Sequence, residues 1–233
     1  MAGGPVVSNP EVAVPSASAL RLVIAAERLF ALHGIDGVSL RQIATEAGSA
    51  NNSAVHYHFG SKKGLIEAIF HHRLPQILSE RRLLAARCNP SDLRSRLEAH
   101  YLPLLMLADA TDNHYVSFVE QLQRQEVGLF LTDLPDEGRR SNDEFHRDLH
   151  MLLAHLEEPM LAMRIADAQR FCLHIAADRE HGVAIGAEVP PFELFVSSLL
   201  DGMTGFLYAP ASDATMRRLR GVDESTAHRL RLL

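Results

Sequence analysis

The sequence has few of the residues that mark several large classes of protein. Cysteine occurs only at Cys88 and Cys172, with no CxxC pair or His/Cys zinc spacing, so neither a disulfide framework nor a structural zinc site is indicated. The longest apolar runs are far shorter than the about 18 residues that a membrane-spanning helix requires. No basic segment leads into an apolar one near the N-terminus. These absences predict a cytoplasmic protein without a membrane partner.

Lysine is also nearly absent. Lys62 and Lys63 are the only two lysines among the 23 lysine and arginine residues. Both follow Ser61, a predicted N-cap, and precede the strongly helical stretch LIEAIFHHRL. A cation in the first turn is unfavourable for the helix alone and becomes favourable when an anion docks there. The placement therefore indicates a site for a phosphate group.

Charge is distributed unevenly along the chain, although the net charge is −6. Residues 1–88 contain nine basic and six acidic side chains, a net charge of +3, whereas residues 89–233 contain 14 and 23, a net charge of −9. This asymmetry favours a basic contact domain attached to an acidic body. A length of 233 residues with 47% hydrophobic content is enough for a sizeable core.

Local signals predict four helices in the N-terminal third. The stretch RLVIAAERLFALHG has helical spacing of apolar residues and ends at Gly34. Ser39 and Gln42 have the spacing of a capping box, and the helix that they open ends at Gly48. SAVHYHF predicts a short third helix, and Ser61 opens a fourth that continues to about residue 86.

The rest of the chain is also predicted to be helical, and no segment alternates as a strand would. Pro75 and Pro103 lie inside helical patterns and predict kinks or short interruptions. The predicted helical segments of the body are 91–109, 113–132, 140–157, 159–182 and 190–208.

The sequence thus predicts an all-α protein with three parts. Residues 1–17, nearly uncharged and rich in Ala, Pro and Val, are expected to form a disordered arm. Residues 18–75 are expected to form a helix-turn-helix DNA-binding domain. Residues 76–233 are expected to form a second, helical domain.

The second and third predicted helices form the helix-turn-helix, and the second helix of such a unit enters the major groove. Its predicted exposed residues can all hydrogen-bond to base edges: Asn51, Asn52, Ser53 and His56. Around them lie predicted donors to phosphate: Ser39, Tyr57, His58, Lys62 and Lys63.

Residues 20–70 resemble the DNA-binding domain of the tetracycline-repressor (TetR/AcrR) family of bacterial transcriptional regulators. The similarity extends from AAERLFALHG through GVSLRQIATEAG to AVHYHFGSKKGLIEAIF. It implies that the third helix reads the operator and that the start of the fourth helix holds the DNA backbone. By motif position, it assigns these roles to His56, Tyr57, His58 and Lys62.

The resemblance also implies a divergent body that dimerises and binds a small, mostly apolar effector. The segment 159–182 and the stretch PFELFVSSLLDGMTGFLY fit a two-fold four-helix interface, with internal core helices as the alternative. Candidate residues for the lining of an apolar effector cavity are Tyr101, Met106, Phe118, Leu122, His150, Phe171 and His174.

The function that these patterns favour is a homodimeric repressor that binds a palindromic operator in double-stranded DNA and is released by its effector. One alternative is a metal-binding enzyme, because His146 and His150 stand four residues apart near Glu144. No catalytic motif supports it, so we predict no enzymatic activity, no metal site and no cofactor. A DNA-packaging protein is a second alternative, which the acidic body disfavours.

Overall fold

The structure is a computed structural model that describes residues 16–49, 53–125 and 134–221. These residues form ten helices and no strand, which confirms the predicted all-α class. The helices are α1 Ala17–His33, α2 Leu40–Glu46, α3 Ala54–Phe59, α4 Lys62–Ala85, α5 Leu93–Ala108, α6 Tyr115–Gln125, α7 Asp136–Leu152, α8 Met160–Ala184, α9 Phe192–Tyr208 and α10 Asp213–Leu219.

The ends of α1 and α2 follow the local signals in the sequence. The Gly34 amide donates to the Phe30 carbonyl at the end of α1. At α2 both halves of the predicted capping box are present, since the Gln42 amide donates to Ser39 Oγ and the Ser39 amide donates to Gln42 Oε1. Gly48 follows α2 with φ of 66°, a conformation that favours glycine.

Two features of the helices differ from the expectations. Neither Pro75 nor Pro103 interrupts its helix. Both helices bury apolar side chains on each side of the proline, for example Leu74 and Ile77 in α4, and this packing compensates for the lost hydrogen bond. The short α10, which was not predicted, is capped by Ser212 and buries no side chain, so it leaves no amphipathic pattern in the sequence.

The predicted limits of the arm and of the first domain can be compared with the helix boundaries. Residues 1–15 of the arm lie outside the described residues, but Ser16 caps α1 and Ala17 is its first residue. The predicted boundary at residue 75 falls inside α4, which is one continuous helix.

The N-terminal domain and the body share one hydrophobic core, and α6 lies where they meet. In the N-terminal domain α1 packs against α2, α3 and α4, while α6 packs against both α1 and α8. The fully buried Phe118 of α6 lies with its ring centroid 6.2 Å from that of Phe30 in α1 and 5.7 Å from that of Phe70 in α4. Within the described residues, no helix is both long enough and apolar enough to span a membrane.

Candidate nucleic-acid interface

Helix α3 presents three polar rings to solvent. Val55 is completely buried and anchors α3 in the core of the domain, and Phe59 packs partly against that core. The side chains of His56, Tyr57 and His58 are exposed, Tyr57 to 84%. This is the arrangement that reading base edges in a groove requires.

Neighbouring groups fix the positions of these rings. His56 Nδ1 lies 2.8 Å from the Gly60 carbonyl oxygen. Because a carbonyl can only accept, Nδ1 donates this hydrogen bond, which leaves Nε2 to face a partner. Tyr57 and His58 meet edge to face at 5.0 Å, and His58 Nε2 lies 3.5 Å from Ser18 Oγ of α1.

The N-terminus of α4 lies directly after α3. Ser61 is its N-cap, and its side chain accepts a hydrogen bond of 3.1 Å from the Gly64 amide, as the sequence predicts. Lys62 is half-buried, and its ammonium group donates to the Ile35 carbonyl at 2.8 Å. Lys63 is exposed. Lys62 therefore has an interior partner in the connection between α1 and α2, which its position in the motif did not predict.

The remaining predicted DNA contacts are placed as follows. Ser39 is exposed, but its hydroxyl takes part in the capping box and also donates to Gln42 Oε1 at 2.7 Å. Ser53 is the exposed N-cap of α3. Asn51 and Asn52 lie outside the described residues. The sequence analysis missed one candidate, the exposed Arg41 in the first turn of α2, whose position beside the N-cap could have identified it.

The seven predicted effector contacts differ in their exposure. Four of them have exposed side chains: Met106, His150, Phe171 and His174. The other three are buried: Tyr101, Phe118 and Leu122. Apolar helical spacing alone did not distinguish the two groups, because each long body helix packs on more than one side.

The two histidines of the metal alternative face different partners. His146 Nε2 lies 2.7 Å from Gln169 Nε2 of α8, whereas His150 Nδ1 lies 3.6 Å from Glu158 Oε1. Among the described residues there is no group of three or more His, Cys, Asp or Glu side chains that could hold a metal ion.

A cluster of buried and partly buried polar side chains lies where α4, α5 and α7 pack together, and the sequence analysis missed most of it. Arg81 of α4 donates from Nε to the His100 carbonyl at 2.8 Å and from Nη1 to Asn142 Oδ1 at 3.3 Å. The His100 ring stacks on Phe145 at 3.7 Å. Burial, together with the nearby Arg81 charge, holds the pKa of His100 well below its usual range, so this ring is neutral.

Residues 22–69 match the family model of the bacterial regulatory proteins of the tetR family. This match covers most of α1, all of α2 and α3, and the start of α4, and it confirms the resemblance that the motifs indicate. The N-terminal domain is therefore a helix-turn-helix domain of the tetR type, followed by a helical C-terminal domain.

Several solved structures resemble the chain at low identity. One is a TetR family transcriptional regulator, PfmR, from Thermus thermophilus, with a TM-score of 0.49 and 16% identity over 82% of this chain and 100% of that one. Another is a bacterial regulatory protein of the tetR family from Rhodococcus, with a TM-score of 0.45 and 17% identity over 84% of this chain and 100% of that one. Comparison with curated proteins gives no match. The conclusion on the N-terminal domain rests on the family match alone.

Proposed function

We propose that this chain, whose N-terminal domain is of the tetR type, is a homodimeric transcriptional repressor that leaves a palindromic operator when a small molecule binds to its body. The observation that carries this proposal is the exposure of His56, Tyr57 and His58 on α3, within a domain that matches DNA-binding regulators. The outward Nε2 of His56 and the Tyr57 hydroxyl suit base edges or phosphates in the major groove.

Contacts to the DNA backbone would come from the start of α4. Its first-turn amides and the dipole favour a phosphate, and Lys62 and Lys63 add two positive charges there. An ammonium group has three protons, so Lys62 can donate to Ile35 and still reach a phosphate. The exposed Arg41 would add a further phosphate contact.

An exposed face of α9 supports the homodimer. Leu194, Phe206 and Tyr208 are large apolar side chains that remain exposed in the single chain. A Cβ atom added at Gly202 or Gly205 would meet nothing within 4 Å. A face that combines exposed apolar residues with two open glycines suits close packing against the same helix of a second copy.

Release by an effector requires a connection between the body and the N-terminal domain that reads DNA (the reading head). Helix α6 supplies contacts to both. Its Phe118 packs with Phe30 and Phe70 of the N-terminal domain, and α6 also packs against α8. An effector that binds better to one arrangement of the body than to another would shift the separation of the two reading heads. The buried predicted contacts Tyr101, Phe118 and Leu122 remain candidates for apolar contact with it.

Selection of bound sequences from random DNA, followed by footprinting, tests the DNA-binding proposal. We expect an enriched sequence with two half-sites related by a two-fold axis. Equal affinity for selected and random duplexes at physiological salt would contradict specific regulation. Reporter expression with and without the gene for this protein would then decide between repression and activation.

The variant Lys62→Ala tests the backbone contact. We expect weaker binding to every duplex and a smaller salt dependence, since one phosphate contact contributes about one unit of slope. The stability of the variant must be measured as well, because Lys62 also binds Ile35. Arg140→Ala, which removes an exposed arginine of α7, is the control and should leave the slope unchanged.

The variant Gly205→Glu tests the dimer. A charged side chain on the apolar face of α9 should convert dimer to monomer in sedimentation experiments. Ser79→Glu, which adds the same charge at an exposed position of α4, should not. If wild type sediments as a monomer, or if Gly205→Glu remains dimeric, the α9 interface is wrong.

A further inference from the structure

The start of α6 is held by a carboxyl group from a distant helix. Glu180 of α8, whose exposed fraction is 2%, accepts hydrogen bonds from the Val116 amide at 3.0 Å and the Ser117 amide at 2.8 Å. The preceding amide, that of Tyr115, donates to Asn113 Oδ1 at 2.9 Å. Three amides of the first turn of α6 thus donate to buried side chains, and two of these hydrogen bonds fix α6 to α8.

A second buried carboxyl group lies near this contact, in the N-terminal domain. Glu27 of α1 is also 2% exposed, and it accepts two hydrogen bonds from Arg73 of α4 at 2.7 and 2.6 Å. Glu180 lies close enough to feel the charge of Glu27 and to influence that of Arg73. The three side chains form one cluster, which joins α1 and α4 to α6 and α8.

The charges of this cluster do not balance when all three groups are ionised. Two negative charges and one positive charge leave a net charge of −1. An unpaired charge in the interior is unfavourable. Both described hydrogen bonds of the Arg73 guanidinium go to Glu27, whereas those of Glu180 come from neutral amides. A single proton on Glu180 therefore neutralises the cluster. Burial raises the pKa of this group to about 7.

The neighbouring titratable groups of α4 and of the start of α6 do not supply a compensating charge at neutral pH. Burial lowers the pKa values of His72 and His114, so both rings are neutral there. Burial raises the pKa of Tyr115, so the phenol keeps its proton. Asp112 is exposed, and water screens its charge.

The neighbouring arginines each have a carboxylate partner of their own. Arg179, next to Glu180 in α8, binds Asp109 at the end of α5 through two nitrogens at 2.9 and 2.5 Å. Arg28 of α1 pairs with Glu46 at the surface. Among the described groups of the junction, Glu180 is therefore the one whose charge changes close to pH 7.

We propose that this junction is a proton switch for DNA binding: a proton on Glu180 keeps α6 closed on α8, and its loss loosens α6 and moves the reading head. Helix α6 can transmit the change because it packs against α1 as well as α8. Its buried Phe118 also packs with Phe30 of α1 and Phe70 of α4. The switch rests on the proposed regulatory function, whereas the capping of α6 by Glu180 does not.

The direction of the switch follows from proton linkage. The closed junction raises the pKa of Glu180 above its ordinary value of 4.5, to which it returns when the carboxyl group meets water. The two amide hydrogen bonds reduce this rise without cancelling it. The closed arrangement therefore binds the proton more tightly, and a rise in pH through about 7 favours the loosened one. DNA that selects the closed arrangement should bind more weakly at pH 8 than at pH 6.

The affinity of the full-length protein for the selected duplex, measured against pH at constant salt, tests the switch. Wild-type affinity should fall between pH 6 and pH 8. Glu180→Gln resembles the protonated acid, because one terminal atom accepts and the other donates. It should match wild type near pH 6 and bind about fivefold or more tightly than wild type at pH 8. Histidines of the DNA surface, such as His56, titrate in both proteins, so their effect cancels in this comparison.

A matched control and a second measurement accompany this variant. Glu188→Gln removes the same charge from an exposed position between α8 and α9 and should follow wild type at every pH. Calorimetry of wild type needs no variant at position 180 and decides the question if Glu180→Gln does not fold. Heats of DNA binding in buffers of different ionisation enthalpy should show proton uptake at pH 7.5, above the ordinary histidine pKa of about 6.5.

Two results would overturn the switch: Glu180→Gln binds DNA no more tightly than wild type at pH 8, or wild type takes up no proton on binding at pH 7.5. Either result, obtained with a duplex that wild type prefers over random DNA, leaves the proposed regulatory function in place. If no duplex is preferred at either pH, the proposed function fails and the switch fails with it.

Discussion

The N-terminal domain exposes polar rings to solvent, whereas the body buries polar rings in its core. In α3, His56, Tyr57 and His58 face solvent around a single buried anchor, Val55. In α5, His100 and Tyr101 are buried and pack on Phe145 of α7. Outward rings can contact a partner as large as a duplex, whereas inward rings can contact only a molecule that enters the body.

Ion pairs show the same contrast between surface and interior. Arg28 and Glu46 join α1 to α2 at the surface, with side chains 49% and 38% exposed. Glu27, the neighbour of Arg28 in sequence, is 2% exposed and joins α1 to α4 through Arg73. The surface pair costs little to break, but the buried pair holds the reading head to the helix that continues into the body.

The largest effect is expected where the two regions meet. Phe118→Ala should lower the free energy of unfolding by about 3–5 kcal/mol, because it removes a fully buried ring between α1, α4 and α6. Urea unfolding measures the change. Phe171→Ala, which truncates an exposed ring of α8, is the control. Equal losses in the two variants would show that Phe118 is not part of the shared core.

The next effect comes from the buried ion pair. Glu27→Gln should cost about 3 kcal/mol, because it leaves the mostly buried Arg73 without its counter-charge. Glu46→Gln, which breaks the surface pair with Arg28 in the same domain, should cost less than about 1 kcal/mol. Urea midpoints and slopes of both variants check this. A small loss in Glu27→Gln would contradict a structural role for the pair.

The pH dependence of stability tests the pKa of Glu180, a residue of α8 whose carboxyl group lies at the start of α6. Glu180 of α8 accepts hydrogen bonds from the Val116 and Ser117 amides at 3.0 and 2.8 Å. Burial raises its pKa to about 7, against these hydrogen bonds, which lower it. Between the ordinary value of 4.5 and about 7 the folded state binds more protons than the unfolded state, so stability falls as pH rises through this window.

The variant Glu180→Gln isolates this contribution, because histidines titrate in the same range with the opposite sign. Burial lowers the pKa values of His72 and His114, which makes stability rise with pH near 6.5. The difference between the wild-type and variant profiles should change by roughly 1–3 kcal/mol between pH 4.5 and 8. A constant difference would mean that Glu180 keeps an ordinary pKa in the folded protein.

The smallest effects are expected on the DNA surface. His56→Ala should relax the preference at one base pair of each half-site by about 1–3 kcal/mol and affect the others little. Lys63→Ala should instead weaken binding to all sequences to a similar extent and reduce the salt slope by about one unit. Competition binding with single-base variants of the selected site measures both. The same pattern from the two variants would remove the distinction between base and backbone contacts.

Local features of the sequence predicted the N-terminal domain well. The Ser39 and Gln42 capping box, the Ser61 cap and the glycines at positions 34 and 48 each act within a few residues. Such signals can be read directly because both partners of each hydrogen bond lie in one short stretch. The motif from residue 54 to residue 70 adds the family resemblance, which the match over residues 22–69 confirms.

The body was less predictable because its partners are far apart in the chain. The contact of Arg179 with Asp109 spans 70 residues, and that of Arg81 with Asn142 spans 61. Met106 and Phe171 look like cavity residues in an apolar pattern, yet both are exposed. Helical periodicity identifies a face of a helix but not the helix against which it packs.

The sequence by itself determined that the chain is helical, where its first four helices begin and end, and which short segment resembles a DNA-reading unit. These properties depend on hydrogen bonds and apolar spacing within single helices. Only the tertiary structure decided that α6 joins the two regions, that Lys62 donates to the Ile35 carbonyl, and that Arg81 binds the His100 carbonyl and Asn142. The reason is that burial and charge pairing depend on which distant side chains surround a group.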